Sequence, residues 1–346
     1  MASAVISVAL AVASSAVAQD WAKANLAKSS RHGEFVTIHE PSGRDLQAWV
    51  VYPEVKDKAP VVVMIHEIFG MSDWAREMAD EVAGAGYIVV EPDLLSGLGP
   101  ARTAGMSRFP VSKQDVSFIT TPRQETAPAK TSLPGTGCDP MPCAAGQKPV
   151  RESAASQQPS APMDHHAPPA MQAGGQAYVP AQPGGTSAFP DQSAVTRAVS
   201  SLPDAQVLAD LDAAADYGNK LPAANGKLFV AGFCWGGGKT FLFATHRHDL
   251  SAAFVFYGPP PAEDLMKNIT APVYGFYAQN DARISSTIPK TQDEMKALGK
   301  TYEPVVYDGA GHGFMRAGEA PDANAANSAA RREGFKRLID LLGGVR

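Results

Sequence analysis

Lys227-Leu-Phe-Val-Ala-Gly232-Phe-Cys234-Trp-Gly236-Gly-Gly238, continued by Lys239-Thr-Phe-Leu-Phe-Ala-Thr245, reads as an apolar strand, a turn of small residues and a helix. A strand that reverses into a helix this tightly forces its apex residue into a strained backbone. It also brings strand and helix close enough that side chains at the flanking positions would clash, which explains glycine at 232 and 236. The pattern is a nucleophile elbow with Cys234 at its apex. A thiol at a helix N-terminus meets the positive end of the helix dipole and unpaired backbone N–H groups. The expectation is that thiolate is favoured there and that an oxyanion can be held. A core cysteine in a turn of small residues is the competing reading.

The partners that a thiol nucleophile needs lie downstream. Ala271-Pro-Val-Tyr-Gly-Phe-Tyr-Ala278 reads as a buried strand running into Gln279-Asn-Asp281, and Tyr302-Glu-Pro-Val-Val-Tyr307 as a further strand, followed by Asp308-Gly-Ala-Gly-His312-Gly-Phe. Asp281 and His312 therefore follow successive strand ends. The order Cys234, Asp281, His312 is nucleophile, acid, base, the chain order of an α/β-hydrolase triad. In that arrangement His312 takes the thiol proton and later protonates the leaving group, while Asp281 fixes the imidazole tautomer.

The rest of the pattern supports an α/β fold. Pro60-Val-Val-Val-Met-Ile65 is a continuous apolar run suited to a central parallel strand and ends in His66-Glu67-Ile68-Phe69-Gly70. Strands are expected at 34–38, 46–52, 61–66, 87–91, 227–232, 252–257, 272–277 and 302–307. Helices are expected near 73–85, 204–220, 235–246, 287–299 and 324–342. Such alternation predicts a doubly wound, mostly parallel sheet flanked by helices, with the site at the strand C-termini.

The His66-Glu-Ile-Phe-Gly segment, the Gly-Phe-Cys-Trp-Gly-Gly elbow, the Asn-Asp pair at 280–281 and Gly311-His-Gly-Phe-Met-Arg316 together resemble the dienelactone hydrolase family, carboxymethylenebutenolidase-like members of the α/β-hydrolase superfamily. The resemblance covers roughly residues 30–100 and 184–346. It implies that Glu67 contacts the resting thiol and is displaced when substrate binds, so that the Cys–His pair ionises. It further implies an oxyanion hole made by the backbone N–H groups of Trp235 and Ile68, and a substrate carboxylate bound by Arg316, whose planar fork pairs both oxygens. Phe69 and Phe314 flank these positions and are expected to line the pocket. The implied activity is hydrolysis of a small ester or lactone through a thioester, with no cofactor. A broader carboxylesterase or thioesterase is the alternative.

The net charge of −5 argues against a nucleic-acid partner. Residues 2–18 are Ala/Val/Ser-rich and uncharged, with Ala16-Val-Ala18 before Gln19. They read as a signal peptide, and imply a periplasmic or secreted enzyme, with a cytoplasmic enzyme as the alternative; the stretch is too short for a convincing membrane span. Thirteen of the 28 prolines fall in residues 101–183, among Gly, Ser, Gln and Ala. That composition predicts an insertion without a packed core, splitting a hydrolase domain of 19–100 and 184–346. Within it, Cys138 and Cys143 are a candidate disulfide. Together with Met163, His165 and His166 they are also a candidate soft-metal site, which leaves a metal-binding protein as a third, weaker reading. The sequence does not set the oligomeric state.

Overall fold

The computed structural model describes residues 19–99 and 184–344. The expected signal peptide and the whole expected insertion, with its Cys and His residues, lie outside them.

Eight strands form one sheet: β1 (Gly33–His39), β2 (Asp45–Val51), β3 (Ala59–Ile65), β4 (Ile88–Pro92), β5 (Ala224–Phe233), β6 (Leu250–Phe256), β7 (Val273–Ala278) and β8 (Tyr302–Tyr307), in the order β1-β2-β4-β3-β5-β6-β7-β8. The pairs β1–β2 and β2–β4 are antiparallel and all others parallel. This is the doubly wound, mostly parallel sheet of an α/β-hydrolase. β3 is buried along its whole length, as an apolar run without polar alternation requires when both sheet faces are covered.

Ten α-helices cover the two faces among the described residues: α1 (Asp20–Leu26), α2 (Asp73–Gly84), α3 (Gln192–Ser200), α4 (Asp204–Lys220), α5 (Trp235–His246), α6 (Glu263–Met266), α7 (Ala282–Ser285), α8 (Ile288–Ala297), α9 (Phe314–Ala317) and α10 (Ala325–Gly344). Alternate strand residues split between two cores. Val61, Val63 and Ile65 pack with Leu211 of α4 and Phe241 of α5 on one face. Val62 and Met64 pack with Trp74 and Met78 of α2 and Leu338 of α10 on the other.

The chain returns at residue 184 beside the point it left. A Cβ on Gly184 would sit 2.8 Å from Gly97 Cα, and the backbone φ of Gly184 is +103°, so only glycine fits. The Asp93 carboxylate then accepts bonds from the Thr186 N–H (2.8 Å) and Oγ1 (2.9 Å), tying the returning segment to the end of β4. α3, absent from the expected helices, follows at once, with the Asp191 side chain capping it through the Ala194 N–H. α1 was likewise not expected; Asn25 Nδ2 donates to Glu77 at 2.6 Å and fastens it to α2.

The register aligns the carboxyl ends of the central strands, pairing Ile65 with Gly232, Phe233 with Phe256, Phe256 with Phe276, and Ala278 with Tyr307. Glu67, Cys234, Tyr257, Asp281 and His312 all follow these ends within a few residues. Loops with no other relation in sequence are thereby gathered at one edge of the sheet.

Candidate functional site

Cys234 stands between β5 and α5 with φ 56° and ψ −116°, a left-handed backbone that a side-chain-bearing residue seldom adopts. Its N–H bonds to Phe256 O at 3.0 Å, which pins the turn to β6. Any Cβ on Gly236 would lie 2.4 Å from His66 O and 2.5 Å from Ile65 O, so α5 approaches the end of β3 only because that residue is glycine. The elbow is therefore locked on both sides.

Cys234 Sγ lies 3.1 Å from His312 Nε2, and His312 Nδ1 lies 2.5 Å from Asp281 Oδ2. The Asp281 carboxylate only accepts, so Nδ1 carries the proton and Nε2 presents its lone pair to the thiol. His312 hangs on the loop after β8; Asp281, after β7, is buried. The edge of the Tyr257 ring meets the imidazole at a centroid distance of 5.1 Å.

Burial pushes the Cys234 thiol up to about 11, and the Glu67 charge adds to that; hydrogen bonding from the backbone N–H groups of Trp235 and Ile68 acts in the opposite sense, as does Arg283. The elbow alone led to the expectation of a favoured thiolate. In the folded protein the loss of water and the nearby carboxylate outweigh the helix N-terminus. The two N–H groups expected to form an oxyanion hole both lower the thiol pKa.

Glu67 is 2% exposed. Its Oε2 accepts from Arg316 Nε at 2.7 Å and its Oε1 from the Tyr257 hydroxyl at 3.2 Å. The resemblance implied a contact between Glu67 and the resting thiol; the hydrogen bonds of the Glu67 carboxylate go to Arg316 and Tyr257, and that of the thiol to His312. Arg316, expected to bind a substrate carboxylate, spends its Nε on Glu67 while its guanidinium lies 4.8 Å from the centroid of the Phe69 ring, and its side chain stays 30% exposed. Phe69 is half-buried. Phe314 needs correcting. It is fully buried, its ring 5.2 Å from Tyr257 and 5.1 Å from Tyr307, so it backs the site instead of lining it.

Two residues outside the expected catalytic set matter. Tyr257, at φ 39° directly after β6, holds Glu67; burial pushes its phenol well above the usual range, so it remains a donor. His66 is fully buried, with Nδ1 2.8 Å from Glu67 O. An unusual backbone after a strand end is visible only once the chain is folded. The His66-Glu67 adjacency was legible in the sequence, and its hydrogen bond was not.

The family model of the dienelactone hydrolase family matches residues 46–130 and 169–345. The chain belongs to the dienelactone hydrolase family. The match runs past the expected edges of the insertion and omits only 131–168 between its two parts. A Methylorubrum extorquens protein named "Putative carboxymethylenebutenolidase" is 37% identical over 161 residues, covering 43% of this chain and 54% of that protein. An Escherichia coli protein of the same name is 32% identical over 153 residues, 41% of this chain and 55% of that one. The chain spans about half the length of the curated relatives it matches. A Klebsiella pneumoniae structure described as "Putative Dienelactone Hydrolase" superposes with a TM-score of 0.60 at 21% identity, over 91% of this chain and 99% of that one; at that identity the likeness is one of fold. Among the described residues no helix is long and apolar enough to cross a membrane.

Proposed function

We propose that the protein hydrolyses a small ester or lactone through a thioester on Cys234, with His312 as base and then acid, and Asp281 as its orienting carboxylate. The observation that carries this reading is the continuous chain from Asp281 Oδ2 through His312 to Cys234 Sγ, with links of 2.5 and 3.1 Å. His312 Nε2 takes the thiol proton as sulfur attacks the carbonyl carbon. The carbonyl oxygen becomes an oxyanion beside the Trp235 and Ile68 N–H groups. When the tetrahedral centre collapses, the C–O bond to the leaving group breaks and His312 returns the proton to the departing alkoxide. Water, deprotonated by the same nitrogen, then cleaves the thioester to the acid and free thiol.

The preferred substrate bears a carboxylate near the scissile bond, as in dienelactones. Such a group approaching Arg316 competes with Glu67 for the guanidinium, and moving the Glu67 charge changes the ionisation of the thiol it faces. A second reading, a neutral carboxylic ester or thioester as substrate, is favoured by the existing Arg316–Glu67 pair, which leaves only part of the guanidinium for a ligand.

The testing experiment measures product release from cis- and trans-dienelactone and from p-nitrophenyl esters by wild type, Cys234→Ala and Arg316→Ala. Lactone turnover that vanishes in Cys234→Ala and falls in Arg316→Ala chiefly for the acidic substrates supports the proposal. Turnover of neutral esters alone supports the second reading. Undiminished turnover by Cys234→Ala overturns both.

A further inference from the structure

His66 follows β3 directly, and its imidazole is wholly enclosed, lying nearly parallel to the Trp235 ring at 5.8 Å and 11°. Its Nδ1 is 2.8 Å from Glu67 O. A carbonyl oxygen only accepts, so Nδ1 carries the ring proton and Nε2 is left as a lone pair. That Nε2 has no hydrogen-bond partner among the described residues, and burial lowers the ring's basicity. The imidazole is therefore a neutral, single-donor group with a fixed tautomer, and the proton chemistry of Cys234, His312 and Asp281 makes no use of it.

What it grips is the informative part. Glu67 O also accepts from the Gly70 N–H at 3.1 Å, so this one carbonyl has two donors. The Glu67 carbonyl and the Ile68 N–H belong to one planar peptide group, and in a trans peptide they point in opposite directions. A donor clamped on the oxygen therefore aims the N–H. That N–H is one of the two whose hydrogen bonding favours the Cys234 thiolate.

We propose that His66 is a positioning residue: its Nδ1–H holds the Glu67–Ile68 peptide in the one orientation that turns the Ile68 N–H toward Cys234 Sγ and toward the oxyanion that forms beside it. The inference rests on Cys234 being the nucleophile, as proposed above. The turn closed by Gly70 supplies a single bond about which the peptide can still tilt. The His66 donor, braced by the Trp235 ring, removes that freedom.

The test uses His66→Phe, which keeps a ring against Trp235 and lacks the donor, and His66→Asn, whose amide nitrogen is the same number of bonds from Cα as Nδ1. Two quantities are read on the full chain: kcat and KM for an ester, and the rate of iodoacetamide alkylation at pH 8, followed by mass spectrometry on the peptide containing Cys234. At that pH the thiolate is the minor form, so its fraction falls about tenfold for each unit by which the thiol pKa rises, and alkylation slows with it, by a smaller factor because a more basic thiolate is more nucleophilic. Glu67, Tyr257, Arg283, His312 and Arg316, which set the rest of the field at the sulfur, are unchanged in both variants.

The expected result for His66→Phe is kcat lower by roughly ten- to a hundredfold, since a misaligned oxyanion donor costs at most what a deleted one does. KM should stay within about twofold and alkylation should slow, and His66→Asn should recover most of both. Wild-type kcat and alkylation in a folded His66→Phe overturn the inference. So does a kcat loss shared equally by both variants with unchanged alkylation, which is the mark of a merely structural role. His66→Leu repeats the donor-free test should His66→Phe not fold. If wild type turns over no ester, or Cys234→Ala does so undiminished, the proposed function fails, whereas the alkylation rates still decide the role of His66.

Discussion

Arg316 Nε donates to Glu67 Oε2 at 2.7 Å across 249 residues of sequence, and that pair holds a buried carboxylate whose charge acts on the thiol. Tyr257 takes the other oxygen. The negative charge nevertheless reaches the sulfur, where it adds to burial in disfavouring thiolate. Burial first and that charge second thus favour the protonated thiol in the resting site.

Replacing Glu67 by Gln keeps the shape and removes the charge. Because Glu67 raises the thiol pKa, its neutralisation lowers it from about 11, and the thiolate fraction at pH 8 rises. Alkylation of Cys234 by iodoacetamide in Glu67→Gln should be several-fold faster than in wild type. An equal or slower rate, in protein of unchanged fold, contradicts the assigned influence of Glu67.

Asp281→Asn puts an amide where His312 Nδ1 now finds an acceptor only. An Asn that presents its N–H₂ there turns the imidazole to the other tautomer, so that an N–H faces Cys234 Sγ in place of the lone pair. Ester turnover should fall by roughly 10²- to 10⁴-fold, in line with the same change in serine triads. Thermal stability should change little, and activity retained within tenfold would show that Asp281 does not orient the base.

Legibility followed the backbone. β3 and β5 are readable because uninterrupted apolar runs have few alternatives, and Cys234, Asp281 and His312 because each follows a strand end within a few residues. The hold of Tyr257 on Glu67 spans 190 residues and depends on a left-handed backbone at Tyr257, which no local pattern encodes. The thiol's ionisation is hidden from the sequence for a related reason. The motif displays the helix N-terminus, whereas burial and the Glu67 charge arise from other loops. α1 and α3 are not legible in the sequence because they are short and owe their places to tertiary bonds, from Asn25 to Glu77 and from Thr186 to Asp93.

Glu91, on β4, carries a buried carboxyl with no hydrogen-bond partner among the described residues, and burial pushes it up to about 8, with Arg76 opposing that shift. An unfolded glutamate titrates at about 4.3. Between these values the native state holds a proton that the unfolded chain has lost, so this group's contribution to stability is complete below about pH 4.3 and is lost as pH rises to about 8. The slope is about 1.4 kcal/mol per pH unit. Glu91→Gln removes it. Its Tm advantage over wild type should grow from pH 5 to 8 and then level off. An advantage that stays constant across that range would show that the buried carboxyl does not titrate as argued.

The central claim is that Cys234 becomes acylated. Its most direct test is an acid-quenched, time-resolved mass spectrum of the protein mixed with excess p-nitrophenyl acetate. The predicted result is an acyl adduct that forms with the p-nitrophenol burst, maps to the peptide containing Cys234, is removed by hydroxylamine and is absent from Cys234→Ala. An adduct on another residue, or full turnover by Cys234→Ala, would contradict the account.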